Sequence, residues 1–317
     1  MAAVGAQRVV TPAHRRTVRP AHVATGLGLA LVLLLAWLSA VFDEAISQAV
    51  RNPDAGWALV LEMYGQLPGV VVGIVGATIL LRDAVPPRSA RGWVGAGTIA
   101  LLLLLSSLQV ALELGAHAAG ETDVRRAVAV AVPVAAGAGV VSRWVPHRWA
   151  RSVRPAAAVA LALPYLASVV TVWAIKIPWG RWTPRDISAA GDPALFSPWF
   201  LPQGANGHYS FVSGHTSFAF AVIALVLVVA TTRRGLAVGV VLCLAWGVVI
   251  ASSRVVLGAH FPSDTLVSAV ITLVWALLLA RAVGYRPPPR AGLPPQAGWP
   301  RPAHAGCSAG TGGMQRS

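Results

Sequence analysis

Residues 235–252 read GLAVGVVLCLAWGVVIAS, an apolar run without a single acidic or basic side chain. At 1.5 Å per residue, a helix of this length covers about 27 Å, close to the roughly 30 Å hydrocarbon core of a bilayer. A helix that is apolar on every face must be buried, either in a large protein core or in lipid. The run therefore predicts a helix that crosses a membrane.

The composition of the whole chain also indicates a membrane protein. Its 317 residues are 56% hydrophobic and 11% charged, whereas soluble domains carry about 25% charged residues. The formal net charge is +14, but the arginines lie in short segments between apolar runs, which predicts contact with a bilayer and no nucleic-acid partner. Cys243 lies in an apolar run and Cys307 in the C-terminal tail, so no disulfide framework is expected.

Eight apolar segments are candidate spans, and they predict an all-α fold, a polytopic membrane helix bundle of about eight spans. The fourth segment is short and contains Pro133, and the sequence leaves open whether it crosses the membrane. The approximate ranges are 24–42, 64–81, 92–112, 127–142, 155–175, 214–232, 235–252 and 264–283.

The chain divides into four regions by composition. We predict a basic cytoplasmic tail over residues 1–22 and N-terminal membrane helices over 23–150. A membrane core follows over 151–284, and residues 285–317 form a Pro/Gly-rich tail whose composition predicts disorder.

The distribution of arginine predicts the orientation of the spans. If the N-terminus is cytoplasmic, 18 of the 25 basic residues fall in segments on the cytoplasmic side. Cytoplasmic loops of membrane proteins carry such an excess of basic residues. We therefore predict a multi-pass protein of the cell membrane with both termini in the cytoplasm and the outer ends of the last four spans outside it.

Ionisable side chains gather at those outer ends. Such groups cost about 2.5–3.5 kcal/mol each at the centre of a membrane helix and are usually functional. Lys176 is the only lysine in the chain, and Ser213 and Gly214 open the sixth span with further hydrogen-bond donors. Basic side chains and a helix N-terminus are typical of phosphate binding. The ionisable residues are Lys176, Arg181, Arg185, His215, Arg254, His260 and Asp264.

Three short motifs contain these residues, in a fixed order along the chain. They are KIPWGRWTPR over 176–185, VSGH over 212–215 and SRVVLGAHFPSD over 253–264. The arrangement resembles the type 2 phosphatidic acid phosphatase (PAP2) family, whose pattern is K-x6-RP, then PSGH, then SR-x5-H-x3-D. That family shares its constellation with glucose-6-phosphatases and vanadium haloperoxidases. The resemblance covers roughly residues 155–283 and implies a six-helix PAP2-like core, extended here by the first two or three spans.

Two of the three motifs depart from the family pattern. Val212 stands where the second motif usually has proline, and Thr183 stands where the first motif has arginine before Pro184. Arg181 and Arg185 flank Thr183, and either could supply the missing cation. Of the two we favour Arg181.

The resemblance implies a role for each site residue. His260 would be the nucleophile that forms a phosphohistidine, Asp264 would orient its imidazole, and His215 would protonate the leaving oxygen. The resemblance implies neither a metal nor another cofactor. The residues that would bind phosphate are Lys176, Ser213, Gly214 and Arg254, with Arg181 or Arg185 in place of the missing arginine.

The expected activity is hydrolysis of a lipid phosphate or diphosphate, such as an isoprenoid diphosphate or phosphatidic acid. Two alternatives remain open at this point. A lipid phosphotransferase would use the same site with a hydroxyl group in place of water, and a non-enzymatic transporter would only bind the phosphate. The bilayer and the lipid substrate are the expected partners, and the sequence does not indicate an oligomeric state.

Overall fold

The computed structural model describes residues 20–84, 89–119 and 124–288. The predicted tails over 1–22 and 285–317 lie outside these residues except for 20–22 and 285–288, so the predicted disorder stays a prediction. The described residues form helices and turns, with no strand among them, and the all-α prediction is confirmed.

Within the described ranges, twelve α-helices follow one another along the chain. A π-helical segment, Pro164–Thr171, joins the sixth helix to the seventh, and a short 3₁₀ turn spans Pro193–Leu195. The α-helices are α1 (Pro20–Val50), α2 (Gly56–Tyr64), α3 (Leu67–Ala84), α4 (Ala90–Ala119), α5 (Val124–Ser142), α6 (His147–Leu163), α7 (Val172–Trp179), α8 (Pro184–Ala190), α9 (Gly214–Ala221), α10 (Ile223–Val229), α11 (Arg233–Val256) and α12 (Pro262–Ala282).

The described residues contain six segments that are long and apolar enough to cross a membrane. A seventh candidate is α1, in which Leu33–Ser39 and Val41–Val50 meet at 67°. The pair α9–α10, Gly214–Val229, is apolar but shorter than the rest. All eight predicted segments are thus helical, and the polytopic bundle is confirmed, with six or seven spans of full length where about eight were expected. The six are Gly56–Arg82, Gly92–Leu112, Val124–Ser142, His147–Ala190, Arg233–Val256 and Pro262–Ala282.

Helix α3 lies close to its neighbours because glycines line its contacts. A Cβ atom at Gly69 would meet the backbone carbonyl of Phe218 in α9, and one at Gly76 would meet the backbone of α6 at Ala157 and Leu161. Small residues allow membrane helices to approach each other in this way. The N-terminal extension is therefore packed directly on the helices of the predicted core.

Buried hydroxyl groups connect three segments of that core. The Ser217 hydroxyl in α9 is 2.8 Å from that of Ser168 in the π-helical segment and 2.7 Å from that of Thr272 in α12. Hydrogen bonds of this kind join helices where the surroundings are apolar. They fix α9, which begins beside His215, against α12, which begins beside Asp264.

Candidate active site

Lys176 lies on the last turn of α7, just before the helix ends at Gly180. Gly180 has φ 59°, and a Cβ atom there would collide with the carbonyl of Gly204 and the side chain of Asn206. Only glycine meets both conditions without strain. The Lys176 Nζ donates a hydrogen bond of 2.7 Å to the carbonyl of Tyr209. The only ammonium side chain of the protein is thereby held against the loop that leads into α9.

The second motif forms the N-terminus of α9. Ser213 is the N-cap residue, and its hydroxyl oxygen accepts a hydrogen bond from the Thr216 amide. Gly214 is the first residue of the helix, where backbone N–H groups have no partner within the helix and favour an anion. The Nε2 atom of His215 lies 3.1 Å from the carbonyl oxygen of Glu62.

His260 lies in the turn between α11 and α12, outside both membrane helices. The amides of Ala259 and His260 donate to the carbonyl of Arg254, which ties this turn to the end of α11. The His260 Nδ1 atom lies 2.6 Å from the carbonyl of Ser210. A carbonyl can only accept, so Nδ1 carries the hydrogen and the neutral ring has its lone pair on Nε2. Among the described residues, Nε2 has no hydrogen-bond partner.

The surroundings of His260 keep its imidazole neutral. Burial lowers the pKa of His260 to about 4, and the positive charges of Lys176 and Arg254 act in the same direction, against the opposing effect of Asp264. A neutral ring with a free Nε2 lone pair is the form that can act as a nucleophile. Lys176 binds the carbonyl of Tyr209, next to Ser210, and the Arg254 carbonyl accepts the His260 amide, so both residues lie close to His260.

Asp264 accepts hydrogen bonds from two neighbours of His260, Ser210 and Phe261, and so stabilises the His260 turn. Its Oδ2 atom accepts hydrogen bonds from the Ser210 hydroxyl at 2.5 Å and from the Phe261 amide at 2.9 Å. The same oxygen lies 3.7 Å from the His260 Nδ1. That distance is too long for a hydrogen bond but short enough to attract a positive charge on the ring. Ser210 therefore orients the imidazole directly, and Asp264 acts on it through charge and through Ser210.

Arg181 is buried in an ion cluster with Asp264 and Asp43. Its Nη1 atom donates to Asp264 Oδ1 at 2.6 Å and to the Ser263 hydroxyl at 2.9 Å. Its Nη2 atom donates to Asp43 Oδ2 at 2.8 Å, and its Nε atom donates to the carbonyl of Ser197. We refer to Arg181, Asp43 and Asp264 as the buried ion cluster. Because these N–H groups already have acceptors, the placement does not support our preference for Arg181 as the replacement cation.

Arg185 is differently placed from Arg181. Its side chain is 52% exposed, and its Nη1 atom lies 3.7 Å from Glu62 Oε1. Its backbone amide donates to the carbonyl of Gly258 in the His260 turn. Thr183, between the two arginines, caps α8 by accepting a hydrogen bond from the Asp186 amide at 3.1 Å. Of the two flanking arginines, Arg185 is the one with a guanidinium outside the buried ion cluster.

Arg254 is a buried cation with donors that the described part of the chain leaves unsatisfied. Its side chain is 4% exposed, and its Nη2 atom donates to Glu62 Oε1 at 2.9 Å. Its Nε and Nη1 atoms are buried and have no hydrogen-bond partner there. Leaving buried donors unsatisfied costs about 1–3 kcal/mol, and more on a charged group. An anion bound beside Arg254 would satisfy them.

The sequence did not indicate several residues of this site. Neither Asp43 nor Glu62 lies in any of the three motifs. Asp43 is 138 residues from Arg181, and Glu62 is 192 residues from Arg254, so no local motif connects them. A usable signal was present for Glu62, since it is a lone carboxylate inside an apolar helix. Ser210 and Ser263 gave no such signal.

Within residues 20–84, 89–119 and 124–288, no group of three or more His, Cys, Asp or Glu side chains is arranged to hold a metal ion. Lys176, Arg254 and Arg185 supply positive charge near His260 or its turn.

The PAP2 superfamily model matches residues 156–288. This part of the chain is similar to the PAP2 superfamily. The match contains all three motifs and extends from α6 to just beyond α12. No curated protein and no solved structure matches the chain.

The match to the PAP2 superfamily model confirms the predicted resemblance. It supports a phosphatase that acts on phosphate esters. Together with the long apolar helices, it indicates a multi-pass membrane phosphatase.

Proposed function

We propose that this PAP2 protein hydrolyses a lipid phosphate or diphosphate through a covalent phosphohistidine at His260. The observation that carries the proposal is the pairing of two groups at the end of α11. His260 has a free Nε2 lone pair, and the adjacent Arg254 has two buried donors without a partner in the described residues. A nucleophile beside an unsatisfied cation is suited to an electrophilic anion such as a phosphoryl group.

The substrate phosphate binds among the basic residues in this proposal. Arg254 donates from Nε and Nη1, Lys176 adds a second positive charge, and the amide of Gly214 donates from the start of α9. Phosphoryl transfer spreads negative charge over three equatorial oxygens, which such donors stabilise.

The first chemical step forms a bond between His260 Nε2 and phosphorus and breaks the bond from phosphorus to the lipid oxygen. His215 gives a proton to that leaving oxygen, so the lipid departs as a neutral alcohol or as a protonated lipid phosphate. The phosphorylated imidazole carries positive charge, which the Asp264 carboxylate attracts from 3.7 Å. Ser210 keeps the hydrogen on Nδ1 throughout.

In the second step, water attacks the phosphohistidine. The bond from Nε2 to phosphorus breaks, inorganic phosphate leaves, and His260 regains its lone pair. His215, left neutral by the first step, accepts the proton of the attacking water and is ready for another cycle.

A lipid substrate fits the surface next to Lys176. Trp173 and Ile177, which flank Lys176 on α7, are each about half exposed. Apolar side chains exposed on a membrane helix face lipid. A phosphate held by Lys176 could therefore stay attached to a tail in the bilayer, a requirement that a water-soluble ester would not impose.

The test is phosphate release by the purified full-length protein in detergent, over a panel containing an isoprenoid diphosphate, phosphatidic acid and a water-soluble phosphate ester. We expect release from the lipids, unaffected by EDTA. The His260→Ala variant should lose at least about 1,000-fold in turnover. The matched control is His208→Ala, a histidine of the 180–213 loop to which this mechanism gives no role.

Reactions with 32P-labelled lipid that are quenched in alkaline denaturant, where phosphohistidine is stable, should trap labelled wild-type protein but not labelled His260→Ala protein, and acid should then release the label. Turnover of the His260→Ala variant within a few-fold of wild type would refute the mechanism. Transfer of label to an added alcohol, with little free phosphate, would indicate the phosphotransferase, and lipid binding without any release would indicate the transporter.

A further inference from the structure

Glu62 brings a carboxylate next to two cations of the predicted site, Arg254 and Arg185. It lies in α2, outside the matched residues 156–288. Its Oε1 atom accepts a hydrogen bond of 2.9 Å from Arg254 Nη2 and lies 3.7 Å from Arg185 Nη1. Its carbonyl oxygen contacts His215 Nε2. One residue of the N-terminal extension thus touches three residues of the predicted site.

Glu62 leaves the Nε and Nη1 donors of Arg254 available. The carboxylate uses Nη2, whereas Nε and Nη1 have no partner in the described ranges. A guanidinium is planar and presents its donors in a fixed fork. Fixing Nη2 therefore fixes the directions of Nε and Nη1, so Glu62 and a phosphate can bind Arg254 together.

The same carboxylate lies close to Arg185. The first motif lacks its usual arginine because position 183 is threonine, and that threonine serves as the cap of α8. Arg185 is attached to the His260 turn by its amide, yet its side chain is half exposed and long enough to adopt many orientations. A negative charge on Glu62 attracts its guanidinium towards Arg254.

We propose that Glu62 is a positioning residue of the phosphate site, which orients Arg254 and holds Arg185 beside it as the cation that position 183 does not supply. This inference rests on the proposed phosphatase function. It gives the N-terminal extension a part in the chemistry of the PAP2 core.

The test is a set of variants of the full-length protein: Glu62→Gln, Arg185→Ala, Thr183→Arg and the two double variants that combine Glu62→Gln with each of the others. The readouts are kcat and KM for a lipid phosphate, and the inhibition constant of inorganic phosphate. Glutamine keeps the acceptor for Arg254 but removes the charge. The matched control is Glu44→Gln, a carboxylate of α1 that accepts a hydrogen bond from Gln48.

We expect Glu62→Gln and Arg185→Ala each to weaken phosphate inhibition by roughly tenfold or more, the scale of one charge-assisted hydrogen bond. The Glu62→Gln/Arg185→Ala double variant should lose little more than the worse single variant, because both changes remove the same cation. Thr183→Arg should restore much of the loss in the Glu62→Gln background. A purely structural role would lower the active fraction, and so kcat, without changing the inhibition constant.

Three results would overturn the inference while leaving the proposed function intact. The first is tighter phosphate inhibition in Glu62→Gln, which would make the carboxylate a competitor of phosphate. The others are independent effects of Glu62→Gln and Arg185→Ala that multiply, and an inhibition constant of Glu62→Gln equal to that of wild type. If the wild-type and Glu44→Gln proteins release no phosphate from any lipid, the proposed function fails and the inference fails with it.

Discussion

The two nitrogens of His260 have different surroundings. Nδ1 makes the hydrogen bond that orients the ring, and Nε2 is the atom that reacts in the proposed mechanism. Nδ1 is held by the Ser210 carbonyl and lies near Asp264, while Nε2 has no partner among the described residues. A His–Asp pair alone would suggest that the carboxylate holds the ring. Here a backbone carbonyl takes the hydrogen bond, and the carboxylate is also tied to Arg181.

The pKa of His260 predicts the acid limb of the pH–rate profile. Its pKa is lowered from about 6.5 to about 4, so the neutral nucleophile persists as the pH falls and is lost only near pH 4. Lys176 is one cause of the lowered pKa. We therefore expect the acid limb of kcat/KM to move to higher pH in Lys176→Ala, besides the general loss of rate.

The measurement compares this limb between wild type and Lys176→Ala with one substrate, so that the titration of the substrate is common to both. Arg185→Ala is the control, because Arg185 is not among the causes of the His260 shift. An acid limb at the same pH in wild type and Lys176→Ala would argue against His260 as the titrating base.

Arg181 and Arg185 should differ in what they contribute. Loss of Arg181 would leave Asp43 and Asp264 buried without a counter-ion, and breaking a buried ion pair costs about 3–5 kcal/mol. We expect Arg181→Ala to lower the unfolding temperature in detergent strongly, and Arg181→Lys to lower it less. Arg185→Ala should leave it nearly unchanged, since exposed pairs contribute about 0–1 kcal/mol. Equal unfolding temperatures for Arg181→Ala and Arg185→Ala would contradict this division.

Site residues that are close together in the sequence could be predicted, whereas those that are far apart could not. His260 and Asp264 are separated by four residues and Arg254 by six more, so one spacing indicated all three. Asp43 and Glu62 reach the site only through the packing of α1 and α2. The choice between Arg181 and Arg185 also depended on packing. Asp43, which accepts a hydrogen bond from Arg181, lies in α1 and far from the first motif in the sequence.

At the scale of helices, the glycines of α3 determine how the N-terminal extension packs on the core. A Cβ atom at Gly69 would press on the backbone of α9 at Phe218, whereas one at Gly137 in α5 would meet nothing. We expect Gly69→Ala to cost about 1–3 kcal/mol through overpacking. Gly137→Ala should be neutral or slightly stabilising, because alanine is the better helix former.

Thermal unfolding in detergent checks this pair of variants, and phosphate release reports whether α9 has moved. Gly69→Ala with the stability and activity of Gly137→Ala would show that α3 and α9 do not pack as described.

Hydropathy located the helices better than it located their breaks. The apolar run that was predicted over 214–232 divides at Val222 into α9 and α10, and Tyr64–Leu67 contains a break within the span Gly56–Arg82. The break at Val222 lies in apolar sequence and composition gives no sign of it, whereas Gly65, Gln66 and Pro68 mark the second break. Glu62, which contacts Arg254, lies just before the second break.

At the scale of the whole molecule, the site lies where the ends of helices of alternating direction meet. The ends of α7 and α11 meet the beginnings of α9 and α12 around His260. The beginning of α12 also contacts α1 through Asp43 and Ser263. Since α12 starts at the site and runs away from it, we expect its last residue, Ala282, to lie on the opposite side of the membrane from the site.

The last prediction assigns the two sides. The arginine distribution places the α10–α11 connection, with Arg233 and Arg234, in the cytoplasm, and the loop over 185–205 outside. Reporter fusions at these two positions should therefore report opposite sides, and a fusion at the C-terminus should agree with the 233–234 connection. A fusion at the N-terminus tests α1 separately, because that helix bends by 67°. If α1 crosses, the N-terminus is cytoplasmic, and if it turns back at the bend, the N-terminus lies on the side of the site. Reversed signals at 185–205 and 233–234 would mean that the whole bundle has the opposite orientation. The phosphatase site would then face the cytoplasm, with the same chemistry.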